Sequence, residues 1–285
     1  MENLIAKLYG LFDKGHEVDE QRATEMGLAI AEVVSRRLKD AGEKQGGHLR
    51  LSSIGAPKCQ QWHNVQGYTP EKLTPQTKIK FLMGDIIEEL LLFLVKEAGY
   101  TVAGEQETVE VAGVKGHIDC TIDGYLVDVK SASPYGFTKF KEGFTLEEDS
   151  FNYIHQLSSY NHALGLEGQS AYWLAMDKSS GELALRELDE LEMVHDIEGA
   201  VEDVKGAVQE PVCPDKVEPV PVGKSGNMKL GPKCRYCDYK WDCRPDMREF
   251  LYKQGSSFLT TVVSTPKVDE RLRDGTIIKY VKEDK

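Results

Sequence analysis

The sequence predicts an α/β protein with an α-β-β-β-α-β core, a mixed central sheet, a helical extension before it and a cysteine-bound segment after it. Three observations carry this. An amphipathic stretch near 77–98 has helical periodicity. Three strand-like runs follow near 101–111, 114–122 and 125–131, with Gly124 turning the chain between the last two. A second helical stretch near 150–164 then leads into the apolar run Ala171-Tyr172-Trp173-Leu174-Ala175-Met176, an order that places helices against a mixed sheet.

Residues 3–14 and 19–42 read as helices, with Ile5, Leu8 and Leu11, then Met26, Leu28, Ile30, Val33 and Leu38, on apolar faces. They form the extension, residues 1–50. In the helix near 77–98, Gly84 permits close backbone approach and Glu88 presents a carboxylate. Side chains at i and i+2 of a strand share a face, so Asp128 and Lys130 project one way and Val127 and Val129 enter a core. The run Pro134-Tyr135-Gly136-Phe137-Thr138-Lys139-Phe140-Lys141 reads as a loop interleaving aromatics with cations. A short strand near 182–188, an acidic helix near 189–208 and a Pro-, Val- and Gly-rich connection over 211–233 complete a core of residues 51–250. Residues 251–285 read as a tail. At 285 residues and 40% hydrophobic, the chain buries one substantial core.

The chemistry sits in Gly116-His117-Ile118-Asp119 and Leu126-Val127-Asp128-Val129-Lys130. A hairpin through Gly124 brings Asp119 beside Asp128, two hard oxygen ligands for Mg²⁺ or Mn²⁺ with an ammonium alongside. Glu88 and the backbone carbonyl of Val129 complete an oxygen cage. Gln156 and Tyr160 share a helical face at i, i+4 and stand behind it. Asp128 and Lys130 are read as polar positions whose removal opens no core cavity and leaves stability nearly unchanged. His117, two residues before Asp119, is a candidate DNA contact, as are Tyr135, Phe137, Phe140, Lys139 and Lys141, because rings stack on bases and lysines hold phosphates.

Cys234-x2-Cys237-x5-Cys243 is a tight thiolate cluster that needs one more ligand, and Cys59 is the upstream candidate. The spacing suits an iron–sulfur cluster or a tetrahedral zinc. Six cysteines in 285 residues are too sparse for a disulfide framework. Cys120 alternates away from Asp119 into the core, and Cys213 is read as a bystander.

In these ordered motifs (helix carboxylate, acid strand, D-x-K strand and Q-x-x-x-Y helix, with one cysteine before the core and three after it) residues 51–250 resemble the PD-(D/E)xK nuclease superfamily. The branch they resemble is the RecB-like one with an iron–sulfur cluster, as in the CRISPR adaptation exonuclease family and the nuclease domain of AddB. The resemblance implies a restriction-endonuclease-like core, Mg²⁺ or Mn²⁺ held by Glu88, Asp119, Asp128 and Val129, and catalysis by Asp119, Asp128, Lys130, Gln156 and Tyr160. It also implies a [4Fe-4S] cluster on Cys59, Cys234, Cys237 and Cys243, with Zn²⁺ the alternative. The implied activity is a DNA exonuclease in recombination, repair or DNA degradation that prefers or generates single strands. The alternatives are a structure-specific endonuclease and a non-catalytic DNA-end or protein-binding module. Glu88 departs from the histidine that members often carry, and Gln60 and Gln61 replace the basic residue that commonly follows the first cysteine.

A net charge of −12 argues against a nucleic-acid partner until its distribution is considered. Residues 182–218 carry twelve acids against three Lys/Arg, whereas residues 224–244 carry six Lys/Arg against two acids. The expected partner is DNA, single-stranded or with a free end, threaded past the basic strip and the 134–141 segment, with a helicase or recombination protein or a second copy of the chain as further partners. Gly223-Lys224-Ser225 mimics the end of a phosphate-binding loop, but Glu218 stands at the first glycine position and Pro219 and Pro221 break the turn, so no nucleotide site is expected. No apolar run reaches the roughly 20 residues that span a bilayer and no secretory segment is read, so a soluble, cytoplasmic protein without membrane partners is expected.

Overall fold

The computed structural model describes residues 1–39, 47–214 and 216–281, so residues 40–42 of the second expected helix lie outside the described residues. Helices α1 (Leu4–Asp13) and α2 (Glu20–Lys39) are followed by α3 (Lys58–Val65) and α4 (Pro75–Glu97). Next come strands β1 (Val102–Ala103), β2 (Thr108–Val111), β3 (Val114–His117), β4 (Cys120–Ile122) and β5 (Tyr125–Ala132). Helices α5 (Pro134–Glu142) and α6 (Tyr153–Ala163) lead to β6 (Ala171–Asp177), β7 (Leu183–Leu188) and α7 (Ile197–Gln209). The chain ends in β8 (Val220–Pro221), β9 (Met228–Lys229), α8 (Pro232–Arg235), α9 (Lys240–Cys243), β10 (Arg248–Tyr252), β11 (Gly255–Thr261), β12 (Glu270–Arg271) and β13 (Ile277–Ile278). Among the described residues no helix is long and apolar enough to cross a membrane.

The chain divides into two compact units. The first takes residues 1–44, 50–55 and 72–202; the second takes 45–49, 56–71 and 203–285. These limits do not coincide with boundaries at 50 and 250.

The first unit contains the expected α-β-β-β-α-β core. Its sheet runs β1-β4-β5-β6-β7, mixed because β5 and β6 pair in parallel and the other pairs are antiparallel. Parallel strands need a crossover, and α5 and α6 supply it. Val127 and Val129 enter one core with Ile87, Leu91 and Val95 of α4 and Leu4 and Leu8 of α1. Gly84 lets α4 approach β5, since a Cβ there would lie 3.3 Å from Ser131 Oγ. In α2, Val33 is buried, but Leu28 and Leu38 are exposed. The single strand expected over 101–111 is two, because Gly104 and Gln106 both take positive φ and break the extended backbone. β2 instead pairs with β3 as a separate hairpin.

The segment expected as a loop over 134–141 is helix α5. Ser133 caps it by accepting from Gly136 N–H and Pro134 opens it. Phe137 and Phe140 are buried, and Phe140 packs on Phe144, Tyr153 and Trp173.

The second unit holds a six-stranded sheet in the order β13-β12-β10-β11-β9-β8, so residues 248–278 supply four of its strands rather than a plain tail. On it, Phe258 lies edge-on to Trp241 and beneath the Lys240 ammonium. In the same unit, Lys58 Nζ pairs with Asp203, the Trp62 indole N–H donates to the Glu210 carbonyl, and Glu71 pairs with buried Lys240.

Candidate active site and thiol cluster

Asp123 and Gly124, both at positive φ, make a two-residue hairpin turn, for which Asp-Gly is a favoured pair. The register that follows pairs Ile122 with Tyr125 and Cys120 with Val127. Extended one step, it sets Asp119 against Asp128. The β4 ladder stops there. Asp119 Oδ2 accepts from Val129 N–H at 2.7 Å, so a carboxylate takes the place of the next strand. The N–H and C=O of one strand residue point to the same side, so the Val129 carbonyl also faces this fork.

Asp128 is 1% exposed. Its Oδ2 lies 2.5 Å from Lys130 Nζ, and its Oδ1 accepts from Gln156 Nε2 at 3.3 Å. Gln156 also hydrogen-bonds Tyr160, whose hydroxyl reaches Ser52. Tyr160 fits over β3 only because residue 116 is glycine. A Cβ at Gly116 would stand 2.6 Å from Tyr160 Cε1 and 3.0 Å from Leu51 Cβ. Tyr153, not anticipated from sequence, places its ring 5.2 Å from the Lys130 ammonium.

Burial, and then the neighbouring carboxylates, push Asp119 up to about 7 and Glu88 up to about 8. For Glu88 the neighbours are Asp119, Glu89 and Asp128. Burial alone would lower Lys130, but Asp128 and Asp119 outweigh it and hold the ammonium protonated. Glu88 Oε1 accepts from Gln106 Nε2 at 2.7 Å, while Gln106 N–H donates to the Asp119 carbonyl. Gln106 carried no sequence signal, because its place depends on the path of a positive-φ turn. Asp128 is buried against Lys130, so their removal does not leave stability nearly unchanged as expected. Removing one member of a buried pair strands the other, at about 3–5 kcal/mol.

The structure therefore brings Glu88, Asp119, Asp128, Lys130, Gln156 and Tyr160 together. It does not gather them into a ready ion cage; among the described residues no three Asp, Glu, His or Cys side chains converge on one point. His117 is exposed and bonds Thr108 Oγ1 at 3.2 Å. The expected stacking platform fails where Phe137 and Phe140 turn inward. Lys139 donates to the Glu148 carbonyl and Lys141 pairs with Glu182 at 2.6 Å, which leaves Tyr135, 80% exposed.

In the second unit Cys59, Cys234, Cys237 and Cys243 line one recess, with Pro57, Val217 and Leu230 as apolar walls and Lys216, Lys240 and Arg244 as cations. Cys59 is held below the usual thiol range by its hydrogen bond with Cys243, against its burial. Burial raises Cys237 to about 12. Lys216 Nζ donates to the Cys243 carbonyl. Cys120 is fully buried in the first unit, as expected. Cys213 is not remote from the cluster: its Sγ lies 3.9 Å from Nδ1 of His63, which lines the recess. His63 Nδ1 also meets the Cys59 carbonyl at 2.6 Å.

No family model matches the chain, and no curated protein matches it. Solved structures similar to it include SSO0001, at 14% identity and TM-score 0.39, over 63% of this chain and 84% of that one. An alkaline exonuclease (LHK-Exo) from Laribacter hongkongensis has 14% identity and TM-score 0.40, over 63% and 94%. The same exonuclease in complex with dAMP has 13% identity and TM-score 0.39, over 63% and 94%.

Proposed function

We propose that the chain is a divalent-metal-dependent deoxyribonuclease of the RecB-like, iron–sulfur type, acting as an exonuclease on single strands or on strands with a free end. The observation that carries this reading is the charge count at the fork: three carboxylates, Glu88, Asp119 and Asp128, face one ammonium, Lys130, and burial with mutual repulsion raises Glu88 and Asp119. Such an excess of hard oxygen donors in partial burial suits Mg²⁺ or Mn²⁺. Glu88, Asp119, Asp128 and the Val129 carbonyl would hold the ion. When bound it supplies Lewis-acid polarisation of the scissile phosphate and acidifies a water.

The chain's own groups do the rest. Lys130, kept charged by Asp128, donates to the attacking water or to the phosphoryl oxygens as negative charge builds. Its high proton affinity fits a cationic role rather than that of a base. Gln156 fixes the Asp128 carboxylate from behind, and Tyr160 fixes Gln156 in turn. Tyr153 supplies a π face to the ammonium.

The recess around Cys59, Cys234, Cys237 and Cys243 fits a thiolate-bound group, because buried thiols of raised pKa ionise only against positive charge, and Lys216 and Arg244 stand at its wall. We assign it a [4Fe-4S] cluster that staples Cys59 to the later segment of the second unit; stoichiometric zinc without iron in anaerobic preparations would replace that assignment. The nuclease reading is tested by offering a linear single strand and its covalently closed circle with Mn²⁺. Degradation of the linear form alone is expected. Equal rates on both would make the protein an endonuclease, and no cleavage of either would leave the fold a binding module.

A further inference from the structure

Charge is distributed very unevenly along the chain. Residues 224–281 carry twelve Lys/Arg and seven Asp/Glu, a net of +5, so the remainder carries −17 of the total −12. Much of that positive charge is neutralised locally, since Lys240, Arg248, Arg271, Arg273 and Lys279 each pair with a carboxylate. Seven of the twelve have no carboxylate partner among the described residues: Lys224, Lys229, Lys233, Arg235, Arg244, Lys253 and Lys267. Of these, Lys233 and Arg235 stand on α8, beside the cluster cysteine Cys234, and Lys253 on the β10–β11 turn.

These two elements meet. Arg235 Nη2 lies 3.2 Å from where a Cβ on Gly255 would be, so the guanidinium rests on the glycine that closes the turn. Gly255, at φ 118°, leaves that space open. The guanidinium also stands 5.6 Å from the Tyr236 ring centroid, and Tyr236 is 65% exposed. On the turn itself, Tyr252 is 42% exposed and Lys253 is exposed. The result is a patch of three cations and two accessible rings on the second unit, built partly from a hairpin beyond the residues that resemble the nuclease family.

We infer that this patch is a holding site for single-stranded nucleic acid: Lys233, Arg235 and Lys253 take phosphates, and Tyr236 and Tyr252 stack on bases. Unpaired cations without rings would suit any polyanion. Rings interleaved with cations suit a flexible strand whose bases are free to stack. The inference rests on the nuclease reading for its choice of nucleic acid, and it adds a contact surface outside the acid and lysine centre.

The test uses the full-length, cluster-loaded protein and a fluorescein-labelled oligo-dT 20-mer in EDTA, where binding is read without cleavage. Anisotropy is recorded across a NaCl series. Loss of three phosphate contacts in the Lys233→Ala/Arg235→Ala/Lys253→Ala protein flattens the slope of log K against log[salt] by about 2, and weakens binding at 100 mM salt by roughly tenfold or more. Tyr236→Ala and Tyr252→Ala each weaken it by roughly tenfold with the slope unchanged. A charge-matched Lys14→Ala/Lys178→Ala/Lys267→Ala control binds as wild type. Equal loss in patch and control proteins, or displacement of the oligonucleotide by poly-glutamate at equal charge concentration, overturns the inference. Cleavage of linear DNA by the wild-type protein with Mn²⁺ is scored separately, so binding without cleavage refutes the nuclease reading alone, and cleavage with an unaltered salt slope in the patch variant refutes the patch alone. Retained cluster absorbance and melting temperature in each variant exclude misfolding.

Discussion

Metal uptake at the fork should release protons, because burial and neighbouring carboxylates raise both Glu88 and Asp119. Glu88 sits at about 8 and Asp119 at about 7. At pH 7 Glu88 then holds a proton in roughly nine-tenths of molecules and Asp119 in about half, so binding Mn²⁺ to the ionised carboxylates expels about 1.4 protons from the coupled pair. At pH 9 the release falls to about 0.1. Affinity follows the same arithmetic, about 20-fold below its high-pH plateau at pH 7 and about 1000-fold below it at pH 6. The assay is calorimetric titration with Mn²⁺ in two buffers of different protonation enthalpy, repeated on Glu88→Gln, where the release at pH 7 drops to about 0.5. Without metal, the folded protein keeps protons that the unfolded chain has already lost between about pH 4 and 8. Stability therefore declines as pH rises through that window, and saturating Mn²⁺ levels the decline. No proton release at pH 7, with affinity flat from pH 6 to 9, would refute the argument that these carboxylates share one electrostatic site.

Two substitutions probe the support beneath that site. Gly116→Ala drives a methyl against Tyr160 Cε1 and Leu51 Cβ, an overpacking cost of about 1–3 kcal/mol that should appear as a lowered melting temperature; an unchanged transition would show that Tyr160 does not need the bare glycine. Gln156→Leu removes the donor to Asp128 Oδ1 and should lower kcat with KM little changed, at about 1–3 kcal/mol of lost stability, and a shift in KM alone would place Gln156 in substrate binding instead.

The hairpin that carries the acids is legible because two local rules agree. A strict period of two puts Val127 and Val129 in the core, and Asp-Gly at 123–124 sets the register that faces Asp119 to Asp128. Gly84 against Ser131 was legible for a similar reason, as a small residue on a helix facing a strand. Helix α5 replaces the expected loop although its signals are local: Ser133-Pro134 is an N-cap followed by proline, and Phe137 and Phe140 stand three apart, but aromatics interleaved with cations also read as a loop. Residues 248–261 likewise hold two runs of β-forming residues around Lys253-Gln254-Gly255, and only their position after the last cysteine suggested a tail. The burial of Asp128 was not legible. A strand covered on both faces reads the same around one D-x-K as a half-exposed strand. Gln106 on Glu88 and Cys213 beside His63 join residues 18 and 150 positions apart, which no local pattern encodes.

The central claim is that Glu88, Asp119, Asp128 and Lys130 form one hydrolytic centre. Its most direct measurement is the degradation of 5′- and 3′-labelled single-stranded DNA with Mn²⁺ by wild-type, Asp128→Asn and Lys130→Met proteins whose folding has been verified by melting. Wild-type protein is expected to degrade the strand from an end, and both variants to lose several orders of magnitude in rate. Undiminished turnover by folded Lys130→Met protein would contradict it.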